Sequence, residues 1–205
     1  MKKFKFKHLL YLAVMVFGTF TFTSCSDDND EDGNVIESEV LQYDFVYLNN
    51  LYKMSSVQDI TDKLTKDGFT DVHYDTLDNY VKGSKTINYI PYSCAVQPHI
   101  YAYIEIGLPK AIISMNTLKS LLDAIFNSEN KIAGENPKYR FSIIENSDDD
   151  NIGTDKNEGI QKIMKFCMDR NSYINASLEF EYNSFHTRVG FYHDEYIRME
   201  IGTND

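Results

Sequence analysis

The stretch that most constrains this chain is residues 99–106. Ile100, Ala102, Ile104 and Ile106 alternate with Tyr101, Tyr103 and Glu105. Successive side chains of an extended segment point to opposite faces, so this period of two specifies a strand with one apolar face and one tyrosine-bearing face. Such a strand needs neighbours in a sheet and a layer to cover its apolar side. The C-terminal third makes the same demand. Segments 173–182, 185–192 and 195–201 read as a three-strand meander, with Ile174, Ala176, Leu178, Phe180 and Tyr182 inward on the first. Phe185, Val189, Phe191, Ile197, Met199 and Ile201 face inward on the other two. The outer face then carries Glu179, Glu181, His186, Arg188, Tyr192, Tyr196, Arg198 and Glu200, a mixture of signs normal for a solvated sheet face.

Helix signals lie between these strands. Ser56-x-x-Asp59 starts one, with Val57, Ile60 and Leu64 on one face and Gly68 supplying its left-handed stop. A second spans about 115–128, where Leu118, Leu121, Leu122, Ile125 and Phe126 make a wide apolar stripe. Asp155-x-x-Glu158 caps a third, running to about 171 with Ile160, Ile163, Met164 and Cys167 inward. Further strands are expected at 40–48 (Leu41, Tyr43, Phe45 and Tyr47 alternate, though i/i+4 pairs are present too), 69–74, 85–92 and 138–145. Asn49-Asn50 suggests a turn, and 75–84 and 146–153 read as polar loops. The order is β-α-βββ-α-β-α-βββ. It implies an α+β domain: an antiparallel or mixed sheet with about three helices gathered on one face. Three strands after both the first and the last helix hint at a duplicated α-β-β-β unit, although no matching residues support it.

The N-terminal region has a different character. Lys2, Lys3, Lys5 and Lys7 precede a 14-residue run, 9–22, that is apolar apart from Gly18, Thr19 and Thr21. A membrane span needs about 20 residues, so the run has the length of a signal-peptide core instead. It ends at Thr23-Ser24-Cys25, followed by Ser26-Asp27-Asp28-Asn29-Asp30-Glu31-Asp32. The neck and cysteine resemble a bacterial lipobox, with Phe22 where Leu is usual, and the acidic run resembles the export signal of Bacteroidetes surface lipoproteins. The resemblance covers residues 1 to about 32. It implies cleavage before Cys25, diacylation of its sulfur, and an outer-membrane address facing the cell exterior. The parts are then a signal peptide (1–24), a lipidated acidic tether (25–39) and one α+β domain (40–205). Two acyl chains anchor stably where one does not, and an acidic tether is solvated and repelled by anionic headgroups. The alternative is a secreted protein whose first mature cysteine is an ordinary thiol.

Asp28, Asp30, Asp32, Gly33 and Glu39 reproduce the spacing of a calcium-binding EF-hand loop, with Val35 at its apolar position. No entering helix fits three residues after a lipidated cysteine, so the solvated tether is the favoured reading, and calcium is the one weakly indicated metal; no other cofactor is. The acidic run before Gly153 fails the same test, because Ile152 and Gly159 occupy ligand positions.

Charge excludes one partner class. The net is −11; removing residues 1–24 takes away Lys2, Lys3, Lys5 and Lys7 and no acid, leaving −15. Nucleic-acid binding needs a concentrated basic face. Cys94 and Cys167 could bridge in an oxidising compartment, and closing their 73-residue interval would stabilise by roughly 4 kcal/mol. Equally, Cys167 lies on an apolar helix stripe, where a thiol behaves as a small hydrophobe.

No HExxH, GxSxG, P-loop or GxGxxG occurs. Cys94 as a nucleophile with a histidine, or His186 with Glu179, Glu181 and Arg188, stays open as a spatially assembled hydrolase site; a salt-bridged structural face is the plainer reading. The function expected is a non-catalytic, lipid-anchored binding or accessory module for a glycan or protein partner. Tyr101, Tyr103, His186, Arg188 and Tyr192 are its candidate contacts, because exposed tyrosines on a flat sheet stack on sugars or anchor proteins. They could instead lie beneath a helix or pair across strands as filler. A subunit of an envelope complex is the main alternative.

Overall fold

The alternation at 99–106 becomes the middle of a nine-stranded sheet. The computed structural model describes residues 43–109, 113–133, 137–143, 151–153, 155–169, 175–192 and 195–204. In chain order the elements are α1 (Phe45–Tyr52), α2 (Val57–Lys66), β1 (Thr70–Asp75), β2 (Tyr80–Ile87), β3 (Ile90–Gln97) and β4 (Tyr101–Gly107). Then come α3 (Met115–Ile132), β5 (Lys138–Ile143), β6 (Asn151–Gly153), α4 (Lys156–Met168), β7 (Ala176–Glu181), β8 (Phe185–Tyr192) and β9 (Tyr196–Thr203).

The strand order is β1-β2-β3-β4-β9-β8-β7-β5-β6, and every neighbouring pair is antiparallel. The two meanders, β1–β4 and β7–β9, join through their last strands: Ile104 of β4 stands opposite Met199 of β9, and Ala102 opposite Ile201. One face of the sheet is apolar throughout, carrying Val81, Cys94, Ile104, Met199, Val189, Leu178 and Phe141, all buried. Among the described residues all four helices cover this face, which makes the protein α+β.

Each helix sits where its apolar stripe requires. α3 buries Leu118, Leu121, Leu122, Ile125 and Phe126, each contributing about 1.5–3 kcal/mol by leaving water. Ser56 caps α2 by accepting from the Asp59 N–H, and Gly68 follows its end at φ +83°. Asp155 caps α4, which approaches the sheet so closely at Gly159 that an added Cβ would come within 3.0 Å of Leu178 and Tyr139.

Several expectations are corrected. Of the strand expected at 40–48, the described part is helical instead: Asp44 accepts from the Tyr47 N–H, and Phe45, Leu48 and Leu51 share one buried helical face through Asn49-Asn50. The i/i+4 pairing there outweighs the alternation. There is no long loop at 75–84 and no single strand at 85–92. The chain turns at 76–79 and again at Asn88-Tyr89, giving two strands where one was expected. Asn88 and Tyr89 have φ of +48° and +66°, the backbone of a two-residue hairpin turn; Tyr at the position that usually holds Gly conceals it. Of the loop expected at 146–153, the described residues Asn151–Gly153 form β6, which pairs with β5.

Among the described residues there are four helices where about three were expected. Of the two places where an α-β-β-β unit was expected, α4 is followed by the three strands β7–β9, whereas α2 is followed by four, β1–β4. Cys94 and Cys167 are both free and buried, on β3 and on the inner face of α4. The signal segment, Cys25, and the calcium candidates Asp28, Asp30, Asp32 and Glu39 lie outside the described residues.

Candidate binding face of the sheet

The other face of the sheet has no helix over it among the described residues. Its side chains come from the odd and even positions that the core strands leave outward, and the register lines them up across the sheet. One row runs Arg140 (β5), Glu179 (β7), Arg188 (β8), Glu200 (β9) and Tyr103 (β4). A second runs Lys138, Glu181, His186, Gly202 and Tyr101, and a third places Arg198 directly opposite Glu105. Alternating sign along each row turns neighbours into attractive pairs.

Arg198 is the hub. Its Nε donates to Glu105 Oε1 at 2.8 Å and its terminal nitrogens donate to Glu105 and, at 3.4 Å, to Glu200 Oε1. Its guanidinium carbon lies 4.8 Å from the Tyr103 ring centroid, 5.4 Å from Tyr192 and 5.7 Å from Tyr196, within cation–π range of all three. Tyr192 and Tyr196 stack with centroids 4.8 Å apart and planes 18° from parallel. From Tyr103 the aromatic tract continues to Tyr101 at 6.1 Å and on to Tyr80 at 6.2 Å.

Glycine makes room for these rings. An added Cβ at Gly190 would meet Tyr192 at 2.5 Å, and one at Gly202 would meet His186 at 2.9 Å and Tyr101 at 3.2 Å. The rings therefore rest over bare backbone rather than standing clear of it.

The face is electrically settled. Glu200 is 4% exposed although no helix covers it. Arg188 (3.7 Å), Arg198 and the Tyr101 hydroxyl surround it instead. Burial, then the charge of Glu200 and a hydrogen bond to it, hold the Tyr101 hydroxyl well above the usual phenol range. Burial likewise raises Tyr80, Tyr103 and Tyr192, so these rings stay neutral. Desolvation works to lower the Arg198 pKa, but its Glu105 pair outweighs this and the group ends above its ordinary value.

All five candidate contacts from the sequence, Tyr101, Tyr103, His186, Arg188 and Tyr192, stand on this one face, half-buried. His186 approaches Glu179 at 3.9 Å. Sequence reasoning placed Arg198, Tyr196 and Glu200 outward but did not single them out, because only the cross-strand register shows that they converge. Tyr80 was missed with its strand. Cys94, the candidate nucleophile, lies beneath the helices on the opposite face, and burial pushes its thiol up, which disfavours the reactive thiolate.

One further group had no sequence signal. Glu129, near the end of α3, is fully buried and accepts from Lys156 Nζ at 2.5 Å, from the Tyr182 hydroxyl and, at 3.4 Å, from Thr187. Burial raises its pKa against the lowering effect of Lys156. It ties α3, α4 and the β7–β8 hairpin together on the helix side. Among the described residues no group of His, Cys, Asp and Glu could hold a metal ion, and no helix is long and apolar enough to cross a membrane. No family model, curated protein or solved structure matches the chain.

Proposed function

We propose that the protein is a lipid-anchored module at the outer surface of the outer membrane, held through acylated Cys25, that binds a glycan or protein partner on the open face of its sheet. The observation that carries this reading is the tract of tyrosines gathered around Arg198 on a face that no described helix covers. Half-buried, neutral aromatic rings held in place by a buried ion network are preorganised for contact, since little side-chain freedom remains to be lost on binding.

A subunit docked to an envelope complex would call for a contiguous apolar patch. The most exposed apolar side chains among the described residues, Leu77, Tyr89 and Ile100, instead sit on three separate hairpin turns.

The test is site-specific photo-crosslinking in intact cells. A probe replacing Tyr103 is expected to form a discrete adduct, while one replacing Lys119, exposed on α3, is expected to form none. Adducts from position 119 alone, or from neither, would remove the open face as the recognition surface.

A further inference from the structure

We propose that the ligand of this face is an uncharged oligosaccharide, stacked along the tract Tyr80–Tyr101–Tyr103–Arg198–Tyr192–Tyr196; the inference rests on reading the open face as the recognition surface. Three features of the geometry carry it.

The first is compensation of charge. Among the described residues the carboxylates of the central strands have arginine partners: Glu105 and Glu200 have Arg198, Glu200 also has Arg188, and Glu181 has Arg140 at 3.6 Å, while the His186 ring lies 3.9 Å from Glu179. A charged ligand would have to break one of these pairs to form its own, an exchange with little net gain. With residues 1–24 removed, the net charge of −15 adds long-range repulsion against polyanions. A neutral ligand meets neither cost.

The second is spacing. Tyr80, Tyr101 and Tyr103 follow one another with ring centroids 6.2 and 6.1 Å apart and planes inclined at 87° and 57°. That is the scale of one sugar ring following another, and rings with apolar C–H faces gain from contact with aromatic surface.

The third is unused hydrogen-bonding capacity held in fixed positions. Glu105 Oε2 accepts from Ser93 at 2.6 Å while its Oε1 accepts from Arg198. Each carboxylate oxygen can accept twice, and the Arg198 fork carries donors beyond those directed at Glu105 and Glu200. Planar carboxylate and guanidinium edges beside aromatic rings match the paired hydroxyls of a sugar, whose donors and acceptors carry no charge.

The experiment uses the full mature lipoprotein in detergent and affinity gel electrophoresis. The gels hold neutral polymers (mixed-linkage β-glucan, xylan, galactomannan) or acidic ones (polygalacturonate, chondroitin sulfate), each at low and at high salt. Two variants accompany the wild type. Tyr103→Ala removes a ring. Gly190→Ala adds a methyl that displaces the far end of the Tyr192 side chain while leaving the strand intact, and a thermal melt confirms its fold. Retardation by at least one neutral polymer is expected, insensitive to salt, and weakened roughly tenfold or more in both variants.

Binding of acidic polymers alone, lost at high salt, would overturn the uncharged ligand while keeping the face as the binding surface. So would the absence of polysaccharide binding together with a protein adduct from position 103 in cells. Neutral binding unchanged in both variants would overturn the placement on this face. Neither polysaccharide binding nor any adduct would overturn this inference and the broader reading together.

Discussion

At the scale of single residues, Arg198 lies 4.8 Å from the Tyr103 centroid while its Nε donates to Glu105, so one guanidinium both positions rings and neutralises carboxylates. An ammonium at this position keeps the charge but loses the planar fork. Arg198→Lys is expected to lower stability by about 1 kcal/mol and Arg198→Ala by about 2 kcal/mol, read by urea unfolding, because Glu200 keeps only Arg188 as a cationic partner. Equal stability in all three proteins would show that the network is ornamental.

Glu129 gives a pH-dependent case. Burial raises its pKa above the unfolded value, so its contribution to stability is fully present below the ordinary glutamate range and is lost as pH rises through its folded value. Relative to Glu129→Gln, the wild type should therefore lose stability as pH climbs from that range upward. Lys156→Ala leaves a buried carboxylate without its cation and should cost about 3 kcal/mol at neutral pH, a cost that shrinks on acidification as Glu129 takes up a proton. A pH-independent difference in thermal melts would contradict both.

At the scale of elements, most of the sheet was legible because alternation specifies both a strand and its faces. The pattern at 99–106 specifies β4, and that at 173–201 specifies β7, β8 and β9, where Leu178, Phe180, Val189, Phe191, Met199 and Ile201 are buried as expected and Ile174 lies outside the described residues. Caps worked equally well: Ser56 and Asp155 begin α2 and α4 as their spacing demands. The failures share a physical cause, local signals that point two ways. Residues 40–48 alternate and also pair at helical spacing, and only packing of Phe45, Leu48 and Leu51 into the core decides for the helix.

The β2–β3 turn was invisible because Tyr89 occupies a left-handed position normally given to Gly. That strain is removable. Tyr89 is 83% exposed and loses little packing on truncation, so Tyr89→Gly should raise stability by roughly 0.5–1 kcal/mol in chemical denaturation. Destabilisation instead would mean that the ring makes contacts its exposure does not suggest. The candidate face was half legible for a related reason. Which residues point outward follows from period two, but which of them meet depends on register between strands 93 residues apart, as with Glu105 and Arg198.

At the scale of the whole molecule, the fold separates two jobs by side. The helix layer closes the core, while the opposite face carries the tyrosines and the paired charges. A sheet covered on one side only normally spends its free face on solubility; here that face buries Glu200 and sets three tyrosines around one arginine, with Tyr101 and Tyr80 continuing from Tyr103. The most direct measurement of whether it recognises something is hydroxyl-radical footprinting of tyrosines on intact cells against the purified protein. Tyr101, Tyr103, Tyr192 and Tyr196 should lose reactivity on cells, while Tyr89, on its exposed turn, reacts equally in both. Unchanged reactivity of the four, or protection of Tyr89 in their place, would contradict the account.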